Sequence, residues 1–253
     1  MIRCKNARQI DGIRESCKLL AQMYKELTPL VIPGVRTIDL DIWAQKWITK
    51  HGGVPAFLGY GPKKNPFPAA LCISINEEVI HGIPSKRVIE EGDLVSIDSG
   101  IILNGFVSDK SVTIEAGKVS PEAHKLNEVT HECLIKAVEA AKAGDRLLSI
   151  AYAVENCVKP FGYSIVYQFC GHGVGFDVHE DPQISNTTHI SGPNPRMREG
   201  MVLAIEPMIN IGVPEIVILE DGWTVVTEDR KLSAHWENTV AIFSDHTEVL
   251  TEI

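Results

Sequence analysis

Four carboxylates stand in segments that otherwise read as apolar core. Asp98 ends the alternating stretch LVSID, and Glu206 follows the wholly apolar VLAI. Asp109 lies between Phe106-Val107 and Val112, and Glu237 sits inside SAHWENTVAIF. A buried, unpaired carboxylate is costly. These segments hold few basic neighbours, whereas a divalent cation satisfies several carboxylates at once. Taken singly, each residue has a plainer reading. Asp98-Ser-Gly suits a turn, Glu206 before Pro207 suits a strand end, Glu237 a cap or a solvent-facing position, and Asp109-Lys110 a surface pair.

Their co-occurrence with a histidine segment shifts that balance. Residues 171–182 read GHGVGFDVHEDP, with glycines on both sides of His172 and His179 seven residues later. A phosphate loop would need G-K-[ST], and a dinucleotide fingerprint a different glycine spacing. A zinc-protease helix would need H-E-x-x-H, but His131-Glu132 and His179-Glu180 both lack the second histidine. The G-x-S-x-G of a serine hydrolase is absent too. One imidazole with four carboxylates suits Mn, Fe or Co and tolerates Zn. Four carboxylate charges balance two divalent ions, and two metals ~3.5–4 Å apart can share a water, lower its pKa and hold it for attack on a carbonyl.

The elements that must position these residues fall into two similar runs. Ile10, Ile13, Cys17, Leu20, Tyr24 and Leu27 recur at three and four residues, a helical stripe stopped by Pro29. A second helix is expected from Thr37, as N-cap, to before Gly52, burying Leu40, Trp43 and Trp47. Residues 53–68, rich in Gly and Pro, read as loop. Strands are expected at Ala70–Ile75, Val79–Gly82, Asp93–Ile102 and Phe106–Ile114. The order then restarts: a helix from the Ser120 N-cap and Pro121 to a Gly144 C-cap, and another over about Ser149–Lys159. Strands return at Ser164–Phe169, Met201–Ile205, Ile216–Glu220, Trp223–Thr227 and Ala234–Phe243. No low-complexity linker separates the runs, so one domain over 1–253 is expected.

A 253-residue chain with 44% hydrophobic residues can bury a sizeable core. A net charge of −9 argues against sequence-independent nucleic-acid binding. Six scattered cysteines without a C-x-x-C pair favour reduced thiols over a disulfide framework. The charged amino-terminal segment lacks a signal-peptide core, and no stretch approaches the ~20 apolar residues of a membrane span. A cytoplasmic monomer is the expectation.

SINEEVIHGIP (74–84), GHGVGFDVHEDPQISN (171–186), MVLAIEPMIN (201–210) and DGWTVVTEDRKLSAHWENTV (221–240) together resemble the type I methionine aminopeptidases. The resemblance runs over nearly the whole chain. It implies the α/β pita-bread fold, pseudo-twofold halves each with two helices and antiparallel strands around a central dimetal site. It implies removal of an amino-terminal methionine before a small second residue, on peptides or nascent chains, with ribosome docking left open. By the same resemblance, Asp109 and Glu237 would bridge two divalent ions (Co, Mn, Fe or Zn), Asp98 would chelate one, and His172 and Glu206 would complete the other. His179 would stabilise the developing oxyanion, His81 would lie near the substrate backbone, and Glu206 would shuttle protons. Phe57, Tyr60, Phe67, Cys72 and Trp223 would wall the methionine pocket.

The chain departs from the family pattern at several points. Phe57 stands where many bacterial members have cysteine, and Phe67 where tyrosine is frequent. Val107-Ser108 replaces His-Gly, Phe176 replaces a polar or basic residue, and the loop at 61–71 is longer than usual. These leave the pocket's shape and preference open. A short gap between His179 and Glu206 and the lack of an amino-terminal extension suit a minimal type I domain. Two alternatives share the fold: an Xaa-Pro dipeptidase, and a binding protein that has lost catalysis.

Overall fold

The computed structural model of the chain describes residues 1–189 and 192–252. Helix α1 (Ala7–Leu27) buries the whole expected stripe from Ile10 to Leu27. Its start is fixed by a capping box in which the Asn6 and Gln9 side chains each accept from the other's backbone N–H. Pro29 lies in a short 3-10 turn, Thr28–Leu30, that ends it. Helix α2 (Thr37–Lys50) starts one residue earlier than expected, with Arg36 at the cap position and no side-chain cap. Thr37 is turned to tertiary use: its hydroxyl donates to the Ser85 carbonyl (3.1 Å) and accepts from the Ser85 N–H (2.8 Å).

Helix α3 (Pro121–Ala140) begins at Ser120, whose hydroxyl accepts from the Ala123 N–H, and α4 (Leu148–Val158) follows. Gly144 does not cap α3. It lies in the turn between the two helices, with a left-handed φ of +92°.

The main sheet is antiparallel and has nine strands. Its path runs Val54–Pro55, Leu94–Leu103, Phe106–Glu115, Glu237–Ile242, Val202–Ile205, Gly171–Gly173 and Glu180–Ile184. Leu71–Ile75 also pairs with Leu94–Leu103, and Thr247–Val249 with Glu237–Ile242. Helices α1 and α2 cover one half through Leu20, Ile48, Ile75 and Ile97. Helices α3 and α4 cover the other through Leu126, Ile150, Leu203 and Val240. A third cluster, with Ile13, Phe67, Val107 and Val202, lies between them. This is the two-halved mixed α/β architecture of the pita-bread fold.

Two differences from the sequence reading sit beside the chemistry. Gly171–Gly173 and Glu180–Ile184, where no strand was expected, are strands. A Cβ on Gly171 would lie 2.4 Å from the Ala204 carbonyl oxygen, and one on Gly173 2.3 Å from that of Asp181. Glycine here permits close strand approach rather than a turn. The expected strand Ala234–Phe243 is two strands, Ser233–His235 and Glu237–Ile242, broken at Trp236. The Trp236 indole turns away to donate to Asn127 on α3 (2.8 Å). The neighbouring run breaks at the same level: Val202–Ile205 pairs with the main sheet, and Met208–Asn210 with Ser233–His235. Glu206-Pro207 occupies that break.

Candidate active site

Pairing register brings the acidic residues together. Asp98 lies opposite Ser111 and Cys72, Asp109 opposite Gly100, and Glu237 opposite Ser111. His172 lies opposite Ala204, two residues before Glu206. Ligand atoms of Asp109, His172 and Glu237 fall within 4.8 Å of one another. The His172 Nε2 is 3.8 Å from Asp109 Oδ2 and 3.4 Å from Glu206 Oε1. His172 Nδ1–H donates to the Gly173 carbonyl (3.0 Å), so Nε2 carries the free lone pair and faces the carboxylates.

All twelve residues named from the sequence line one cavity of about 90 Å³. Phe57, Phe67 and Cys72 are its buried apolar walls, and Phe67 packs edge-on to Trp223 with centroids 5.2 Å apart. Tyr60 closes the rim, its hydroxyl hydrogen-bonded to His179 Nδ1 at 2.6 Å. Trp223 is held from behind: its indole donates to Asn65 O (3.1 Å), and Asn65 Nδ2 donates to Asp221 O (2.9 Å). His81 has a φ of +58°, a left-handed conformation uncommon for histidine, with its ring edge-on to Trp223 and Phe169.

Among the departures from the family pattern, Phe57 and Phe67 face this cavity. Phe176 packs against Phe106 and under Arg3 and Lys5, and Ser108 is buried against Ser16. Neither lines the cavity.

Burial dominates the electrostatics. It raises Asp98 to about 7 and Glu206 to about 8. It also drives Asp109 and Glu237 well above the usual carboxylate range, with the charges of the neighbouring acids adding to the effect. The imidazoles move the other way: burial lowers His172 to about 3 and His81 to about 4, and it lowers His179 as well. Oxygens of Asp98, Asp109 and Glu237 are buried without a hydrogen-bond partner among the described residues. Lys110, next to Asp109, donates its ammonium to Asn238 at 2.8 Å, and its charge offsets only part of the rise at Glu237. Crowded acids and a bare imidazole lone pair in one buried cavity favour positive charge there, and the oxygen-rich donor set fits divalent cations.

One buried residue escaped the sequence reading. His235 is 1% exposed, with Nε2 3.4 Å from Glu206 Oε2. Its signal was available: it precedes Glu237 by two residues, the spacing of one strand face.

A curled antiparallel sheet flanked by helix pairs, around a carboxylate-rich cavity with one imidazole lone pair, defines a metal-dependent peptidase. Residues 11–243 match the model of metallopeptidase family M24, and the chain belongs to that family. A methionine aminopeptidase from Treponema pallidum is 53% identical over 252 residues, spanning 100% of this chain and 97% of the relative. Methionine aminopeptidase 1 of Bacillus subtilis is 44% identical with full coverage of both chains. The crystal structure of a Rickettsia prowazekii methionine aminopeptidase superposes with a TM-score of 0.94 at 35% identity, covering 99% of this chain and 100% of that one. The Pyrococcus horikoshii prolidase shares the fold alone: TM-score 0.78, 24% identity, and only 63% of its chain matched.

Proposed function

We propose that this chain is a methionyl aminopeptidase that hydrolyses the first peptide bond of peptides or nascent proteins when the second residue is small. The observation that carries this reading is the joining of an acidic metal-binding cluster to an apolar pocket in one cavity. Full-length likeness to methionine aminopeptidases favours it over the Xaa-Pro reading, since the prolidases are matched over less than two thirds of their length. An intact acidic cluster weighs against a non-catalytic binding protein. We take residues 1–253 as one catalytic domain working as a monomer in the cytoplasm. Among the described residues, no helix is long and apolar enough to cross a membrane.

Asp98, Asp109, His172, Glu206 and Glu237 would hold two divalent ions, Co, Mn, Fe or Zn. Ions bound there would lower the pKa of a water and polarise the scissile carbonyl. The rest is the work of side chains. Phe57, Tyr60, Phe67, Cys72 and Trp223 bury the methionine side chain, a transfer from water favourable by ~1.5–3 kcal/mol. His81 holds the substrate backbone. His179, whose Nδ1 meets the Tyr60 hydroxyl, would donate from Nε2–H, in the tautomer whose Nδ1 accepts from Tyr60, to the oxygen that gains charge. Glu206 accepts the proton of the attacking water and returns it to the leaving amine.

The test is a panel of Met-Ala-Ser, Met-Lys-Ser and an Xaa-Pro dipeptide, each with Mn, Co, Fe or Zn. Cleavage of Met-Ala-Ser well above Met-Lys-Ser is expected. Turnover of the Xaa-Pro substrate alone would overturn the assignment.

A further inference from the structure

His235 is almost wholly buried, its Nε2 has no hydrogen-bond partner among the described residues, and the reaction proposed above does not use it. We propose that His235 is a positioning residue for Glu206: its Nε2–H donates to Oε2 of Glu206 and thereby directs Oε1 to the His172 side. The inference rests on the reading of Glu206 as a metal-site and proton-transfer group.

The two oxygens of Glu206 meet two imidazoles at equal distance. Oε1 is 3.4 Å from His172 Nε2, and Oε2 is 3.4 Å from His235 Nε2. The rings cannot play the same part. His172 gives its proton to the Gly173 carbonyl through Nδ1, so its Nε2 is a lone pair suited to an ion and unable to hydrogen-bond a carboxylate. A second lone pair, on His235 Nε2, would leave Oε2 facing only repulsion in a buried site. A proton there turns the same contact into an attraction. The spacing is long for a hydrogen bond, as catalytic contacts in ligand-free sites often are before loading tightens them.

Neither partner is free to drift. The His235 N–H donates to Thr113 Oγ1 (3.0 Å), whose hydroxyl donates back to the His235 carbonyl (2.8 Å). Met208 pairs with His235 across the second sheet, and Asn186 Nδ2 donates to the Glu206 carbonyl (2.9 Å). Asp98 is near enough for its charge to act on the ring, but among the described residues the carboxylate within 4.0 Å of Nε2 is that of Glu206. Without the donor, Glu206 could swing Oε2 towards the other acids, losing both its ligating direction and its free oxygen for protons.

The experiment compares wild type, His235→Leu and His235→Gln by Mn(II) titration, kcat and KM on Met-Ala-Ser, and circular dichroism. Loss of an outer partner of a metal ligand typically costs ~10–100-fold in metal affinity or activity. His235→Leu should lose that much in Mn(II) affinity or in kcat, with KM little changed. His235→Gln, whose amide can donate from a similar position, should recover most of the loss. A Leu variant equal to wild type on both counts overturns the proposal, as does a Gln variant no better than Leu. If His235→Leu does not fold, ¹⁵N-histidine NMR of the Zn(II)-loaded wild type decides, with His235→Gln assigning the signal. A proton on Nε2 supports the proposal and one on Nδ1 overturns it. A wild type that cleaves none of the methionyl peptides would refute the function, yet the Mn(II) titration and the NMR would still judge His235.

Discussion

Replacing Lys5 with methionine should destabilise the protein markedly, because Lys5 and Glu180 form an ion pair that water does not reach. Their side chains are each 1% exposed and 2.8 Å apart. The other Glu180 oxygen accepts from the backbone N–H groups of Phe176 (2.7 Å) and Asp177 (3.2 Å), so the pair ties the amino-terminal segment to the loop that carries His179. Burial already lowers the Lys5 pKa against the pull of Glu180. Removing one member of a buried pair typically costs ~3–5 kcal/mol, because the other is left charged and alone. Arg3 softens this: its Nε donates to Glu180 at 3.1 Å from a half-exposed position. The loss in Lys5→Met should therefore sit near ~3 kcal/mol, the low end of that range. For a chain of this size that corresponds to ~6–12 °C in Tm, read by circular dichroism and checked by urea unfolding. The double variant Lys5→Met/Glu180→Gln keeps an acceptor for the two N–H groups and removes the stranded charge, so it should regain part of the stability. A single variant as stable as wild type, or a double no better than the single, refutes the reasoning.

Gly61 has a φ of +96°, and a Cβ there would come within 2.5 Å of the Trp223 ring. Gly61→Ala should push that pocket wall, storing ~1–3 kcal/mol of strain, and raise KM for Met-Ala-Ser far more than it lowers kcat; an unchanged KM contradicts it. Bound Mn(II) at 100 times its Kd should stabilise the wild type by ~2.7 kcal/mol. Asp109→Ala should lose both that shift and the activity, whereas a metal-replete, active variant rules out the ligand role. Glu248 is held below its usual value of 4.5, first by the hydrogen bond from Arg14. A depressed folded pKa gives stability that is present above the unfolded pKa and lost as pH falls through the folded one. The stability gap between wild type and Glu248→Gln should therefore be constant above about pH 5 and close as pH falls below 4.5. A gap that widens with acid contradicts the pairing.

Much of the fold was legible because its signals are local. The three-and-four spacing from Ile10 to Leu27 and the Ser120-Pro121 start predicted helices that formed. The carboxylates were legible for the opposite reason, as charges in segments where only apolar residues belong. What stayed hidden depends on distant partners. Glycine at 171 and 173 signals only backbone freedom until the carbonyls of Ala204 and Asp181 are seen pressed against it. The break at Trp236 depends on Asn127, more than a hundred residues away. Lys5 gave no hint of Glu180, which lies 175 residues along the chain. His235 had a same-face spacing to Glu237, but it became meaningful only once the Glu206 carboxylate was placed 3.4 Å from its ring.

The strand Glu237–Ile242 pairs on one side with Phe106–Glu115 and on the other with Val202–Ile205, so it is the seam between the halves of the main sheet. In the order of synthesis it arrives after both of these strands. Until then the strands carrying Asp109 and Glu206 are not joined through the sheet, and the backbone of Asp109 lacks Thr239, its hydrogen-bond partner 130 residues downstream. Closing so distant a pairing is a slow kind of folding step. A newly made chain therefore lacks the assembled acidic cluster until Glu237 and its strand are in place. The molecule cannot act on other proteins before it has finished making itself.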